Sequence, residues 1–153
     1  MSLQVRTMIR PSAIHGIGLF ADEFIPKGTI TWKRGALDFY FSPKQLEVEC
    51  ESVVGQYLKY SYYCEEKKLF ILCGDDQRFI NHSDKPNIIS TPDCDVAARD
   101  IEDGEELTCD YEEYEPGWFK RRGLIREEFK EVKGVVWVAT LTVPPDFNSE
   151  DIK

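Results

Sequence analysis

Three short segments hold the residue types that could do chemistry. They are His15-Gly16-Ile17-Gly18-Leu19-Phe20-Ala21, then Arg78-Phe79-Ile80-Asn81-His82-Ser83, then Gly104-Glu105-Glu106-Leu107-Thr108-Cys109-Asp110-Tyr111. Two glycines around one apolar residue allow a tight turn and a close approach of backbone to a ligand. A phenol such as Tyr111 can orient an amine or polarise the region of a transferred group. Singly, each segment has a plainer reading: turn glycines, a hydrogen-bonded loop histidine, a half-buried strand tyrosine. His82 beside Ser83 suggests a hydrolase only weakly, because the chain has no Gly-x-Ser-x-Gly elbow.

The elements that must position these segments are mostly short strands. Alternation over residues 4–9, with Val5, Thr7 and Ile9 on one side, predicts a half-buried strand. The apolar residues after Gly18 predict a short buried strand, and Pro26-Lys27-Gly28 a turn into another over residues 29–32. Ser42-Pro43-Lys44-Gln45 predicts a capped helix start, with Leu46, Val53, Val54, Tyr57 and Leu58 as the buried face of one helix. Residues 60–64 and 68–73 read as a hairpin, and residues 87–90, 96–99 and 106–111 as three more short strands. Residues 118–132 show roughly helical spacing through Phe119, Leu124, Ile125 and Phe129. A last strand at residues 135–143 stops at Pro144-Pro145, before a loose tail.

At 153 residues the chain suits one domain with one active site. A formal charge of -9, from 28 acidic against 19 basic side chains, opposes a phosphate backbone and suits a lysine-rich polypeptide. Nucleic acid is therefore not expected as a partner. Five cysteines without a Cys-x-x-Cys pair, and only two histidines, argue against a structural metal. An odd thiol count without a signal-like start points to a reducing compartment, and no apolar run approaches the roughly 20 residues of a membrane span. These readings predict a soluble cytoplasmic protein, nuclear if its source has a nucleus, with no membrane partner.

In this order and at these separations, the three segments resemble the SET-domain family of protein-lysine N-methyltransferases, over about residues 5–114. The resemblance implies a mainly β fold of the β-clip type, short strands in small sheets with one or two helices. In it the stretch ending at Tyr111 crosses the Asn81 loop in a knot-like way. It implies S-adenosylmethionine as cofactor, held by backbone at Gly16, Ile17 and Gly18 and by Arg78, Asn81 and His82, with a lysine entering from the opposite face. Tyr111 becomes the catalytic residue, and Tyr62, Cys109 and Tyr114 the substrate channel. The domain is expected over residues 1–117, and residues 118–153 as a C-terminal segment completing the cofactor site or a subunit interface, which makes a homodimer conceivable.

The chemistry asks for such a layout. A lysine amine has a reference pKa of about 10.4, so presenting it neutral at pH 7 costs on the order of 4.6 kcal/mol. An apolar channel and a neighbouring sulfonium both disfavour the ammonium, and in-line positioning contributes several kcal/mol more.

Departures from the family sharpen the expectations. Asp84 stands where many relatives have a zinc-binding cysteine, and no cysteine follows Cys109, so the zinc-bearing segment is absent. Trp118 is the candidate to stack on adenine instead. Cys109 replaces the usual Phe or Tyr two residues before the catalytic tyrosine, which predicts room for di- or trimethylation. Gly74-Asp75-Asp76-Gln77 replaces the usual Gly-Asn-x-Ala, and Glu113 an aromatic. Eight acidic residues without a Lys or Arg between Glu102 and Glu115 would draw a basic partner such as a histone-like or ribosomal protein, or are merely a solvated surface. The rival function is a catalytically inactive module of the same fold that binds a lysine-rich peptide or the cofactor.

Overall fold

The computed structural model describes residues 2–91 and 93–122. In chain order it holds β1 (Thr7–Pro11), β2 (Ile17–Ala21), β3 (Ile30–Lys33), β4 (Phe39–Phe41), α1 (Pro43–Leu46), α2 (Glu51–Tyr60), β5 (Ser61–Cys64) and β6 (Leu69–Leu72). A 3-10 turn (Asp76–Phe79) leads to β7 (Asn81–His82), β8 (Ile88–Ser90), β9 (Cys94–Ala97), β10 (Thr108–Cys109), α3 (Tyr111–Tyr114) and α4 (Trp118–Arg121). Small sheets dominate, as the expected fold class requires, and α2 alone among the described helices exceeds one turn.

The strands form two antiparallel three-stranded sheets, in the orders β3-β9-β8 and β4-β6-β5, and two two-stranded pairs. β1 pairs antiparallel with β2, Thr7 opposite Ala21. β7 and β10 pair in parallel, Thr108 against Asn81 and Cys109 against His82, and the Ser83 amide extends the ladder to the Cys109 carbonyl at 3.0 Å. Parallel neighbours require a crossover. Here the crossover carries the third motif alongside the second.

Leu19 and Ala21 of β2 point into a core shared with Ile25, Ile88, Ala97, Ile101, Leu107 and Cys109. Burying a side chain the size of Leu or Ile is worth about 1.5–3 kcal/mol, so this cluster anchors the crossing. A second cluster, Phe41, Leu46, Val54, Leu58, Tyr63 and Phe70, joins the helices to the β4-β6-β5 sheet.

Several local expectations need correcting. The Ser42–Gln45 capping box forms, but the helix ends after one turn and restarts at Glu51, so residues 46–58 are not one helix. Tyr57, assigned to the buried face, is 40% exposed, while Leu46, Val54 and Leu58 are buried. Ile9 is exposed although Val5 and Thr7 are half-buried, because the core cluster reaches Val5 and not Ile9. The strand expected over residues 106–111 is cut short at Cys109. Asp110 caps the next turn by accepting the Glu112 amide at 3.0 Å, and Tyr111 opens a helix. The strand at residues 135–143, the helical spacing past residue 122 and the tail lie outside the described residues.

Candidate active site

The β7–β10 crossing brings Tyr111 to the Asn-His segment. Its hydroxyl donates to the Ile80 carbonyl at 2.8 Å, and its amide donates to His82 Nδ1 at 3.2 Å. Accepting at Nδ1 leaves the neutral ring's proton on Nε2, which lies 3.7 Å from Asp84, the residue in the place of the family's cysteine. Burial, first, and the neighbouring Cys109 push the Tyr111 phenol well above its ordinary range, against the pull of Arg122. The hydroxyl is therefore a donor at neutral pH.

Asn81 ties the first and third motifs together. Its amide donates to the His15 carbonyl (3.2 Å), the Ile17 carbonyl (3.1 Å) and Glu106 (2.8 Å). Glu106 also accepts from Ser12 at 2.9 Å. A Cβ on Gly18 would collide with the Glu106 carboxylate, which would have to leave this junction. Gly16 adopts φ +50 with open space where a side chain would be. The His15–Ile17 turn thus leaves space beside the Gly16 backbone that a ligand could approach, while its carbonyls are held by Ser12 and Asn81.

A cleft of about 570 Å³, open to solvent, has Tyr111, Tyr62, Cys109, Tyr114, Arg78 and Trp118 on its walls. Tyr62 and Tyr114 meet edge-on at 5.3 Å, and Trp118 lies 4.6 Å from the Tyr111 ring. Burial raises the Tyr62 phenol far above its ordinary value despite the Arg34 guanidinium in reach of it. Gly16, Ile17, Gly18, Asn81 and His82 do not line this cleft. The structure therefore gathers the expected channel residues with Arg78 and Trp118 in one place, and the remaining cofactor candidates in the adjoining junction.

The residues present fit an amino-acid-like sulfonium cofactor. Two carbonyls and a carboxylate converge at Asn81, a setting suited to an ammonium group, while Arg78 and Lys59 on the cleft wall suit a carboxylate.

Sequence reasoning missed several contributors. Glu115 and Arg122 form a buried two-pronged ion pair at 2.8 and 3.2 Å. Arg122 also donates to the carbonyls of Leu58, Ser61 and Trp118, and Glu115 accepts the Tyr63 amide. This clamp joins α2, β5 and α4 and holds Trp118 under the guanidinium at 4.2 Å. The acidic run is largely engaged inside the chain: Glu105 pairs with Arg99, Glu106 with Asn81, Glu112 accepts the Gly117 amide and Glu113 the Ser90 amide. Glu102, Asp103 and Glu113 remain exposed. Gln77 and Asp95, also missed, bond to each other on the cleft wall at 2.5 Å. Gln77 carried a signal, since it departs from the family pattern.

Among the described residues no group of His, Cys, Asp and Glu is arranged to hold a metal, and no helix is long and apolar enough to cross a membrane.

A family model described as SET domain matches residues 16–112. Similar solved structures include the inhibitor-bound humanized mutant of the Chaetomium thermophilum Polycomb Repressive Complex 2 (TM-score 0.56, 21% identity, 76% of this chain). Another is apo ctPRC2 with two mutations in Ezh2 (TM-score 0.60, 22% identity, 77% of this chain). A third is an active polycomb repressive complex 2 in the basal state (TM-score 0.56, 21% identity, 70% of this chain). This chain spans only 15–16% of the length of each of those chains, and the likeness is one of fold. No curated protein matches.

Proposed function

The chain belongs to the SET-domain family, a family of lysine methyltransferases, and on that premise we propose that it carries a methyl group from S-adenosylmethionine to the side-chain amine of a protein lysine. The observation that carries the reading is the Tyr111 hydroxyl, held 2.8 Å from the Ile80 carbonyl in a cleft walled by Tyr62, Tyr114 and Trp118. S-adenosylmethionine, when bound, supplies an activated methyl on a sulfonium.

The chain's own residues bind, orient and dry the site. The His15–Ile17 turn, Asn81 and Arg78 would hold the amino-acid end of the cofactor and His82 its base, and Trp118 would cover it. Tyr111 stays protonated, so it orients the amine and the methyl by hydrogen bonding and takes no proton from the substrate. The tyrosine walls exclude water from the lysine stem and disfavour the charged ammonium. Cys109, 1% exposed and lining the cleft, leaves the space that a bulkier residue would fill, which supports di- or trimethylation. The exposed Glu102, Asp103 and Glu113 support a basic protein partner.

Incubation with methyl-labelled cofactor and lysine-rich proteins tests the reading. The expected product on acid hydrolysis is labelled methyl-lysine; tight cofactor binding with no methyl-lysine in any protein pool refutes it and leaves a binding module.

A further inference from the structure

Asp95 sits on the central strand of its sheet, in register with Trp32 on β3 and Ser90 on β8, and is only 5% exposed. It is the only carboxylate lining the cleft among the described residues. Gln77, itself 6% exposed, donates to its Oδ2.

A second observation is independent of the carboxylate. Trp32 Nε1 and Ser61 Oγ are buried and have no hydrogen-bond partner among the described residues. Both residues line this same cleft, and they are 3% and 4% exposed. Folded chains pair nearly all buried polar atoms. Two unmatched ones in the same cleft mark a surface built to meet a polar ligand and its water.

We propose that Asp95 receives the substrate's ammonium group on this polar floor and takes its proton before methyl transfer. The proposal rests on the lysine reading above and adds a proton acceptor to it. In the step an N–H bond of the ammonium breaks and an O–H bond forms on Asp95. A cation and an anion become a neutral amine and a neutral acid, and no further reactant is needed. The proton then leaves to water through the open side of the cleft.

The charges around Asp95 suit this exchange. Burial pushes its carboxyl up to about 7, the Ser90 hydroxyl opposes the rise, and Glu113 on α3 adds to it. Cys73 beyond β6 and Cys109 on β10 feel the Asp95 charge, and burial keeps both thiols protonated. The residues facing it from β3, β8 and the 3-10 turn are Trp32, Ser90 and Gln77, none of them charged. No cation among the described residues is one of the groups that shift Asp95, so an arriving ammonium supplies the countercharge. Proton transfer is efficient when donor and acceptor are matched near the working pH. The Tyr111 phenol, too weakly acidic and already donating to Ile80, does not fill that role.

The test uses n-butylammonium as a lysine side-chain probe, titrated calorimetrically into the wild type, Asp95→Asn and Asp95→Glu. Asparagine keeps an oxygen for Gln77 and removes the charge. Binding is expected to weaken about ten-fold or more in the asparagine variant, and to recover in part with glutamate. In methyl transfer to a lysine peptide, the wild-type kcat/KM should fall below a midpoint near pH 7, as Asp95 protonates. In Asp95→Asn that midpoint should move upward, with a loss of about 10²-fold at pH 7. Equal butylammonium affinity in wild type and Asp95→Asn overturns the proposal whatever the transfer assay gives, and so do superimposable pH profiles. Asp95-dependent binding in a protein that methylates no lysine overturns the methyltransferase reading and keeps Asp95 as the amine site.

Discussion

Glu115 and Asp95 are both buried carboxylates, and the chain surrounds them by opposite rules. Glu115 is 0% exposed and meets the Arg122 fork, the Arg121 guanidinium and the Tyr63 amide. Arg122 in turn has carbonyl partners from α2, β5 and α4. Asp95 has one amide donor and the Ser90 hydroxyl beside it, no cation among the groups that shift it, and unmatched polar atoms of Trp32 and Ser61 in its cleft. Where the chain meets every polar valence itself, the cluster holds structure. Where it leaves valences open in a cleft, they face a ligand. The two clusters serve one site, since the clamp fixes Trp118 and β5, and hence two walls of the cleft whose floor is Asp95.

The comparison breaks first at the clamp. Arg122→Ala or Glu115→Ala leaves an uncompensated buried charge and should destabilise the fold by about 3–5 kcal/mol, read by denaturant unfolding. A loss under about 1 kcal/mol would mean that the clamp is not structural.

Asp95→Asn should behave in the opposite sense. Its carboxyl titrates near 7 when folded and near 3.8 when not, so the unfolded chain loses its proton first as pH rises. Wild-type stability is therefore lost progressively between pH 4 and 7 and is level above. At about 1.4 kcal/mol per pKa unit the ceiling is about 4 kcal/mol. The variant should melt higher than wild type at pH 8, with the gap closing toward pH 4, and a pH-independent gap would contradict the burial argument.

Cys109→Phe tests the space above the floor. Overpacking should cost about 1–3 kcal/mol, and the product mass should shift from di- or trimethyl-lysine to monomethyl-lysine. Monomethyl product from the wild type would contradict the role given to Cys109.

Ser42→Ala is the smallest change and the control. It removes a fully local cap and should cost about 1 kcal/mol without altering the activity.

What was legible in the sequence was local or carried by motif. The Ser42–Gln45 box, the hairpin and the three chemical segments involve residues close in sequence, and the order of the segments carried the crossing with it. Long-range polar pairing left no such trace. Glu115 and Arg122 read as two more charges in a charged stretch, and the acidic run read as a surface although much of it is bonded internally. The break after Leu46 and the helix at Tyr111 depend on how the flanking chain packs, so periodicity missed both. Gln77 stood out as a departure, but its partner Asp95 lies on another strand and only the fold joins them.

The most direct measurement is single-turnover methyl transfer by wild type and Tyr111→Phe at saturating S-adenosylmethionine, with cofactor affinity and melting temperature measured on both. Tyr111→Phe should keep both properties near wild type and lose about 10²–10³-fold in rate, as when one positioned donor is removed from a reactive centre. Transfer at an undiminished rate by Tyr111→Phe would contradict the assignment of this hydroxyl to the transfer site.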